Sequence, residues 1–525
     1  MDPTYIVLLI LTIIYVPFYI WVRRSPKAAA RGLVKYGPCV MIKTKWGTGM
    51  MERLSVYKRF WKFFGALSLA ISMFLMVFLI LIIVVGISNI SASLAAPGIG
   101  WEKGLAIPGL NPLIPIHYGW LGLVVAMVVH ELAHGMQTRA NNMRVDSTGV
   151  LYGVIPLGAF VEPNEEDIEK SSRRAKLDLY SAGISVNFIV AVAIFSIFAV
   201  LMLGNVSSSY GDNTGVYAVS SDSPAHSAGI PSGAIIELVN GEEYFYWEDH
   251  TMTYSWEPGD VVQITYLTKD SEHTADLIWG LFIESVTKDS PAWKLNESDK
   301  EQCESDKTAC EPEKVLYKTF ILSINGEKIH DYLEFLSFMQ TTKPGETADI
   351  LCMTADGTET FTKTLTLGDN GGVGYIGIGT SVSGMSFTTP DIILDTGRNP
   401  IYGAESITTA AWSMLTYIGG PLKGFSPIPE VTHWWYDVPL GDMFWVLVSV
   451  LYWIFWLNIM LGVSNAIPAY PFDGGFIFQG GLSALLQRLG MKDEKRREKI
   501  TASITSSLSL VMIFMLVLVM AAVLF

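Results

Sequence analysis

The stretch Val128-Val129-His130-Glu131-Leu132-Ala133-His134-Gly135 holds two histidines four residues apart with a glutamate between them. On a helix, positions i and i+4 share a face, so both imidazoles can reach one metal ion. Glu131 lies beside them, where a carboxylate can take a proton from a metal-bound water. The surroundings are apolar, and the motif falls near the cytoplasmic end of an expected membrane span. An ionisable side chain there costs about 2.5–3.5 kcal/mol on insertion scales. Three together need a compensating partner, and a metal ion is the simplest. The competing reading is a buried polar cluster that only joins helices.

A protein zinc site takes a third ligand and leaves a fourth position for water. Far downstream runs Asn465-Ala-Ile-Pro468-Ala-Tyr-Pro471-Phe-Asp473-Gly474-Gly475. The two prolines break a helix, and the two glycines let the backbone turn tightly. Asp473 is the one acid in this apolar neighbourhood. Read alone, the segment also fits a membrane-surface turn with a solvated aspartate. No Cys-x-x-Cys occurs, so a thiolate zinc site is not expected.

The elements that must position these residues can be read from hydropathy. The 525 residues have a mean hydropathy of +0.36 and only 16% charged residues, against about 25% in an ordinary soluble chain. A helix needs about 20 apolar residues to cross a bilayer. Six segments qualify: about 5–21, 61–87, 116–138, 178–204, 441–464 and 501–525. The first lacks the basic residues that precede a signal core, and its charges (Arg23, Arg24, Lys27) follow it, so it reads as a retained anchor. Basic loops favour the cytoplasmic side. Loops 22–60, 139–177 and 490–500 are basic, and six alternating spans place all three there. The N-terminus and residues 205–440 then lie outside the cytoplasm. Residues 401–421, apolar but broken by Gly and Pro, read as a surface or re-entrant segment, and 476–489 as a short helix.

Residues 204–440 hold 12 Lys+Arg and 34 Asp+Glu. So acidic a block offers no footprint for nucleic acid, which needs a basic patch. Within it the chain repeats itself. Gly215-Val-Tyr-Ala-Val with Ser223-Pro224-Ala225 resembles Gly280-Leu-Phe-Ile-Glu-Ser-Val with Ser290-Pro291-Ala292. Each copy continues into an apolar run closed by Asn-Gly, at Asn240-Gly241 and Asn325-Gly326. Short β-rich runs closed this way predict strands and tight turns. The pattern resembles tandem PDZ domains; two unrelated β-turn units are the alternative. Cys303 and Cys310 flank a charged loop of the second copy and can pair in an oxidising space.

The pair of motifs, His130-Glu131-x-x-His134 in one span and Asn465-x-x-Pro468-x-x-Pro471-x-Asp473-Gly474-Gly475 after another, resembles the site-2 protease family. The resemblance implies an intramembrane metalloprotease with one zinc ion per chain. It implies His130, His134 and Asp473 as zinc ligands, Glu131 as general base on a zinc-bound water, and Asn465 as a helper at the active site. Pro156-Leu-Gly158-Ala159-Phe160-Val161 is similar to the family strand that receives unwound substrate, though the family usually has a glycine where this chain has Ala159. Gly183-x-x-x-Asn187 matches a family helix motif.

These readings give a polytopic α-helical membrane protein of about six spans with an extracytoplasmic, β-rich, tandem PDZ-like insertion. The divisions are 1–60 for the anchor and cytoplasmic loop, 61–204 for the first catalytic half, 205–279 and 280–385 for the PDZ-like units, 386–440 for a connector, and 441–525 for the second catalytic half. The expected partners are single-span membrane substrates, the bilayer, and peptide C-termini at the PDZ-like units. A catalytically silent scaffold that binds peptides competes with this reading, as does a metal transporter using intramembrane His and Asp. The ordered pairing of His-Glu-x-x-His with Asp-Gly-Gly favours hydrolysis over both.

Overall fold

The computed structural model describes residues 3–88, 90, 108, 111–154, 156–246, 254–295, 316–424 and 426–524. The expected Cys303–Cys310 pairing lies outside these residues. The long apolar runs form helices because a backbone without water must satisfy its own hydrogen bonds. The helices framing the site are α1 (Pro3–Arg24), α2 (Lys58–Ser88), α3 (Ile116–Ala140), α4 (Arg173–Ser196), α5 (Asp442–Asn465), α6 (Asp473–Arg488) and α7 (Glu494–Leu524). Among the described residues, five helical segments are long and apolar enough to cross a membrane: α2, α3, α4 with its extension to Asn205, α5 and α7.

α4 stands at the centre and packs on α2, α3, α5 and α6. Small residues let these backbones approach, as is usual where helices meet in lipid. A Cβ on Gly122 of α3 would lie 2.7 Å from the Trp453 carbonyl oxygen of α5. One on Gly462 of α5 would lie 3.2 Å from the Ile184 carbonyl oxygen of α4. The outward faces of the same helices stay apolar, with Phe63, Phe74, Val124, Val192, Leu510 and Phe514 all exposed. That pattern suits lipid on the outside and polar groups within.

One end of the bundle carries a four-stranded sheet: β1 (Leu33–Tyr36), β2 (Cys39–Thr44), β3 (Val145–Tyr152) and β4 (Pro156–Pro163), in that order. The β2–β3 pairing, Val40 opposite Tyr152 through Thr44 opposite Thr148, brings loops 22–60 and 139–177 together. Lys58 Nζ donates to the Arg139 and Ala140 carbonyls at the end of α3. Arg173 donates to Gln487 Oε1 at 2.6 Å, which sets the start of α4 beside the end of α6.

At the other end lies the β-rich block: β5 (Thr214–Val219), β6 (Ile235–Val239), β7 (Val261–Leu267), β8 (Glu272–Ile278), β9 (Leu281–Val286), β10 (Thr319–Ile324), β11 (Thr347–Thr354), β12 (Thr360–Thr366), β13 (Ile378–Val382) and β14 (Met385–Thr388). The strands pair in the order β8-β7-β6-β5-β14-β13-β9-β10-β11-β12. Each sequence repeat thus builds the same four-strand succession, outward from β5 in one half and from β9 in the other. Both Asn-Gly pairs turn with positive φ at each residue, 51° and 82° at Asn240-Gly241 and 52° and 84° at Asn325-Gly326, as a tight hairpin turn requires. Ser223 and Ser290 accept from the backbone N–H three residues on, at His226 and Trp293. The hairpin β13–β14 gives one strand to each half: β13 pairs with β9, and β14 pairs with β5. The strand that completes the first half is therefore supplied from beyond the second.

Candidate active site

His130 and His134 lie on the inner face of α3, buried at 6% and 9% exposure. Asp473 opens α6, directly after the Pro468–Phe472 loop. Its approach depends on the glycines that follow. A Cβ on Gly474 would lie 2.4 Å from the Ile467 carbonyl oxygen, and one on Gly475 would lie 2.7 Å from the Ala469 carbonyl carbon. Any larger residue would push the helix start, and Asp473 with it, away from α3.

The three side chains meet. His130 Nε2 and His134 Nε2 are 3.1 Å apart. Asp473 Oδ2 is 3.2 Å from the first and 3.1 Å from the second. His134 Nδ1 donates to the Leu179 carbonyl of α4 at 2.8 Å, which leaves Nε2 as the bare nitrogen of a neutral ring. Two nitrogen lone pairs and a carboxylate oxygen so close would repel in a dry interior, so the arrangement suits a cation among them. The three residues could hold one metal ion. Gly183 of α4 makes room for the rings: a Cβ there would lie 2.5 Å from His134 Nε2 and 2.6 Å from His130 Cε1.

Glu131, between the histidines, turns toward β4, where its Oε2 accepts from the Val161 N–H at 2.8 Å. β4 is the edge of its sheet and packs on α3; a Cβ on Gly135 would lie 3.3 Å from Val161 Cγ1. Phe160 covers Gly149 of β3, Ala159 pairs with Val150, and Gly158 sits opposite Leu151, with Pro156 opposite Tyr152. Asn465 ends α5 and gives its Nδ2 to the Leu461 carbonyl of its own helix at 3.0 Å.

The structure thus gathers His130, His134 and Asp473, sets Glu131 on the edge strand, and leaves Asn465 bonded to its own helix. The Leu179 carbonyl escaped the sequence reading, because a backbone acceptor leaves no mark in residue type.

The family model of peptidase family M50 matches residues 118–514, about three quarters of the chain. The chain belongs to that family. The matched M50 region starts within α3 and ends within α7, so it encloses both ligand segments and the β block. M50 membership together with the five apolar helices makes the chain a member of a membrane metallopeptidase family. An uncharacterized protein of Methanocaldococcus jannaschii is 30% identical over 251 residues, 47% of this chain and 63% of that protein. The chain therefore spans less than two thirds of that relative's length.

Proposed function

We propose that this M50 member is a site-2-type intramembrane zinc protease that hydrolyses peptide bonds in the transmembrane segments of single-span proteins. The observation that carries the reading is the convergence of His130, His134 and Asp473, from segments far apart in sequence, on one point inside the apolar bundle. Their separations of 3.1–3.2 Å agree with the edge of about 3.3 Å expected between ligands of a tetrahedral zinc site. Zinc, when bound, lowers the pKa of a water to about 7 and polarises a carbonyl.

Glu131 acts as general base, taking the proton of the attacking water and returning it to the leaving amine. A membrane helix hides its carbonyls in its own hydrogen bonds, so the substrate must unwind. The edge strand β4 can then receive it by β-augmentation. The Val161 N–H faces away from β3 toward Glu131, and by strand alternation Ala159 turns its backbone groups the same way. A substrate strand docked there runs beside the general base. Asn465 would release Leu461 to donate to the substrate backbone.

We further assign six spans, adding α1 to the five. The basic loops set the small-sheet end in the cytoplasm, with the N-terminus and the β block outside. The two four-strand halves are read as PDZ-like units. Because β14 completes the first of them, its boundary includes residues 385–388 as well as 205–279. The competing scaffold reading makes the opposite forecast for Glu131→Gln. Single-span substrates incubated with wild type and Glu131→Gln, with products read by mass spectrometry, decide between them. Cleavage within the span by wild type alone supports the protease. Equal products, or none from either, would overturn it.

A further inference from the structure

The face of α4 that meets the histidines carries a second polar residue. Asn187 lies one turn beyond Gly183 and is fully buried at 0% exposure. Neither its Oδ1 nor its Nδ2 has a hydrogen-bond partner among the described residues. His130 Nδ1 is likewise unpartnered there, whereas His134 Nδ1 is held by Leu179. On α5, Asn458 is also at 0% exposure; its Nδ2 donates to the Ile454 carbonyl at 2.7 Å, and its Oδ1 has no partner among the described residues. Buried amides left this way are costly, so native interiors pair them or hydrate them.

These orphaned atoms belong to three helices, α3, α4 and α5, that pack on one another. A Cβ on Gly183 would sit 2.6 Å from His130 Cε1. Side chains four apart on a helix have Cβ atoms about 5–6 Å apart, and they lean toward the helix N-terminus. For Asn187 that direction is toward Gly183 and the His130 ring. Across the helix contact, a Cβ on Gly462 would lie 3.3 Å from Asn187 Cβ, and Asn458 is one turn from Gly462 on α5. No direct bond joins the amide to the ring, and two hydrogen bonds through one water span about 5–6 Å, the spacing of side chains one helical turn apart.

We propose that Asn187 is a positioning residue that holds His130 in its ligating orientation through one buried water. The water accepts from His130 Nδ1–H and Asn187 Nδ2–H and donates to Asn458 Oδ1. Three polar partners are what a buried water typically has. With its proton kept on Nδ1, His130 offers Nε2 to the metal, as Leu179 arranges for His134. Partners that orient ligating histidines this way are worth about ten- to a hundredfold in metal affinity.

The inference rests on the zinc reading, and its test separates the two. Zinc dissociation constants would be measured by chelator competition, and visible spectra of the cobalt-substituted protein recorded, for wild type, Asn187→Leu, Asn187→Ser and Gly462→Ala. Asn187→Leu removes both polar atoms at similar volume. It should weaken zinc about ten- to a hundredfold and change the cobalt spectrum, without lowering the melting temperature of the metal-free protein. Asn187→Ser, which can still hold water, should restore most of the affinity. Gly462→Ala disturbs the same helix contact and should lower the melting temperature while leaving the zinc constant in place. Wild-type affinity and an unchanged cobalt spectrum in Asn187→Leu would overturn the proposal. If that variant does not fold, Asn187→Met is read by the same criteria. A wild-type protein that binds no zinc would instead overturn the metal reading itself.

Discussion

A methyl group at position 183 would meet His134 Nε2 at 2.5 Å and His130 Nε2 at 2.7 Å, closer than packed atoms allow. Either α4 shifts or the rings do, and overpacking of this kind costs about 1–3 kcal/mol. Gly183→Ala should therefore lower bound zinc, and proteolysis should fall at least about tenfold, as the cost is taken up by the ligands. Gly481→Ala on α6, where a Cβ meets nothing within 4 Å, is the control and should be neutral or stabilising by about 1 kcal/mol. Metal analysis of both purified variants checks the pair. The three residues that meet here were legible, the histidines by their helical spacing and Asp473 by its place in a motif that resembles the family's. Their supports were not. The Leu179 carbonyl has no signature, and the crowding at Gly183 exists only once α3 and α4 are packed.

At the scale of elements, apolar runs closed by marked turns were readable as strands, such as β6 and β10 with their Asn-Gly ends. β1 and β2 were not, because residues 22–60 read as one basic loop. Lys43 there is drawn into the sheet by Glu162 of β4, its Nζ 2.6 Å from the carboxylate. Nor could the crossing of β14 be seen, since the second repeat lies between it and its partner β5. Two forecasts belong to this sheet. Hydrogen bonds from Lys43 and then Ser147 hold the Glu162 carboxyl below its ordinary value. A lowered folded value stabilises the fold above the ordinary carboxylate range, and that gain is lost as pH falls through the folded value. Lys43→Met should thus cost about 0–1 kcal/mol at neutral pH, as a half-exposed pair does. The gap from wild type should close as pH falls below the ordinary carboxylate range and Glu162 protonates, and denaturation melts across pH would show it. The second forecast concerns the open edge. Ala159→Pro removes an outward N–H and no ladder bond, so the sheet should survive. Cleavage efficiency should drop about tenfold or more through KM, with zinc content unchanged. Steady-state kinetics showing an unaltered KM would refute the docking strand.

Across the whole molecule, the pairing of loop 22–60 with 139–177, and of Ser207–Ser208 with Tyr436–Asp437, sorts the chain into two opposite ends. The charge asymmetry is the basis for the proposed orientation, with the small-sheet end in the cytoplasm. Cysteines placed at exposed Ser209 and Glu165, one at a time, should label with an impermeant thiol reagent in intact cells only at position 209. Cys352 can stay in that background, because burial pushes its thiol up to about 12. The β block is tied to the segment that leads into α5 through Trp434 and Trp435, whose indoles both donate to the Gly233 carbonyl. No proposed ligand lies within it. Under the proposed orientation, a substrate with a bulky outer domain is expected to collide with the two repeats, whereas a trimmed stub is expected to pass. Residues 211–388 can be replaced by a short flexible linker that spares the Ser207–Ser208 pairing and the helix Pro390–Arg398 beside Leu203. That deletion should keep one zinc per chain and extend cleavage to spans that still carry a folded outer domain. Exposing the two indoles would cost stability, so zinc content is measured alongside to report folding. If intact and deleted enzymes retain zinc and cut the untrimmed substrate at equal rates, the block is not a size filter.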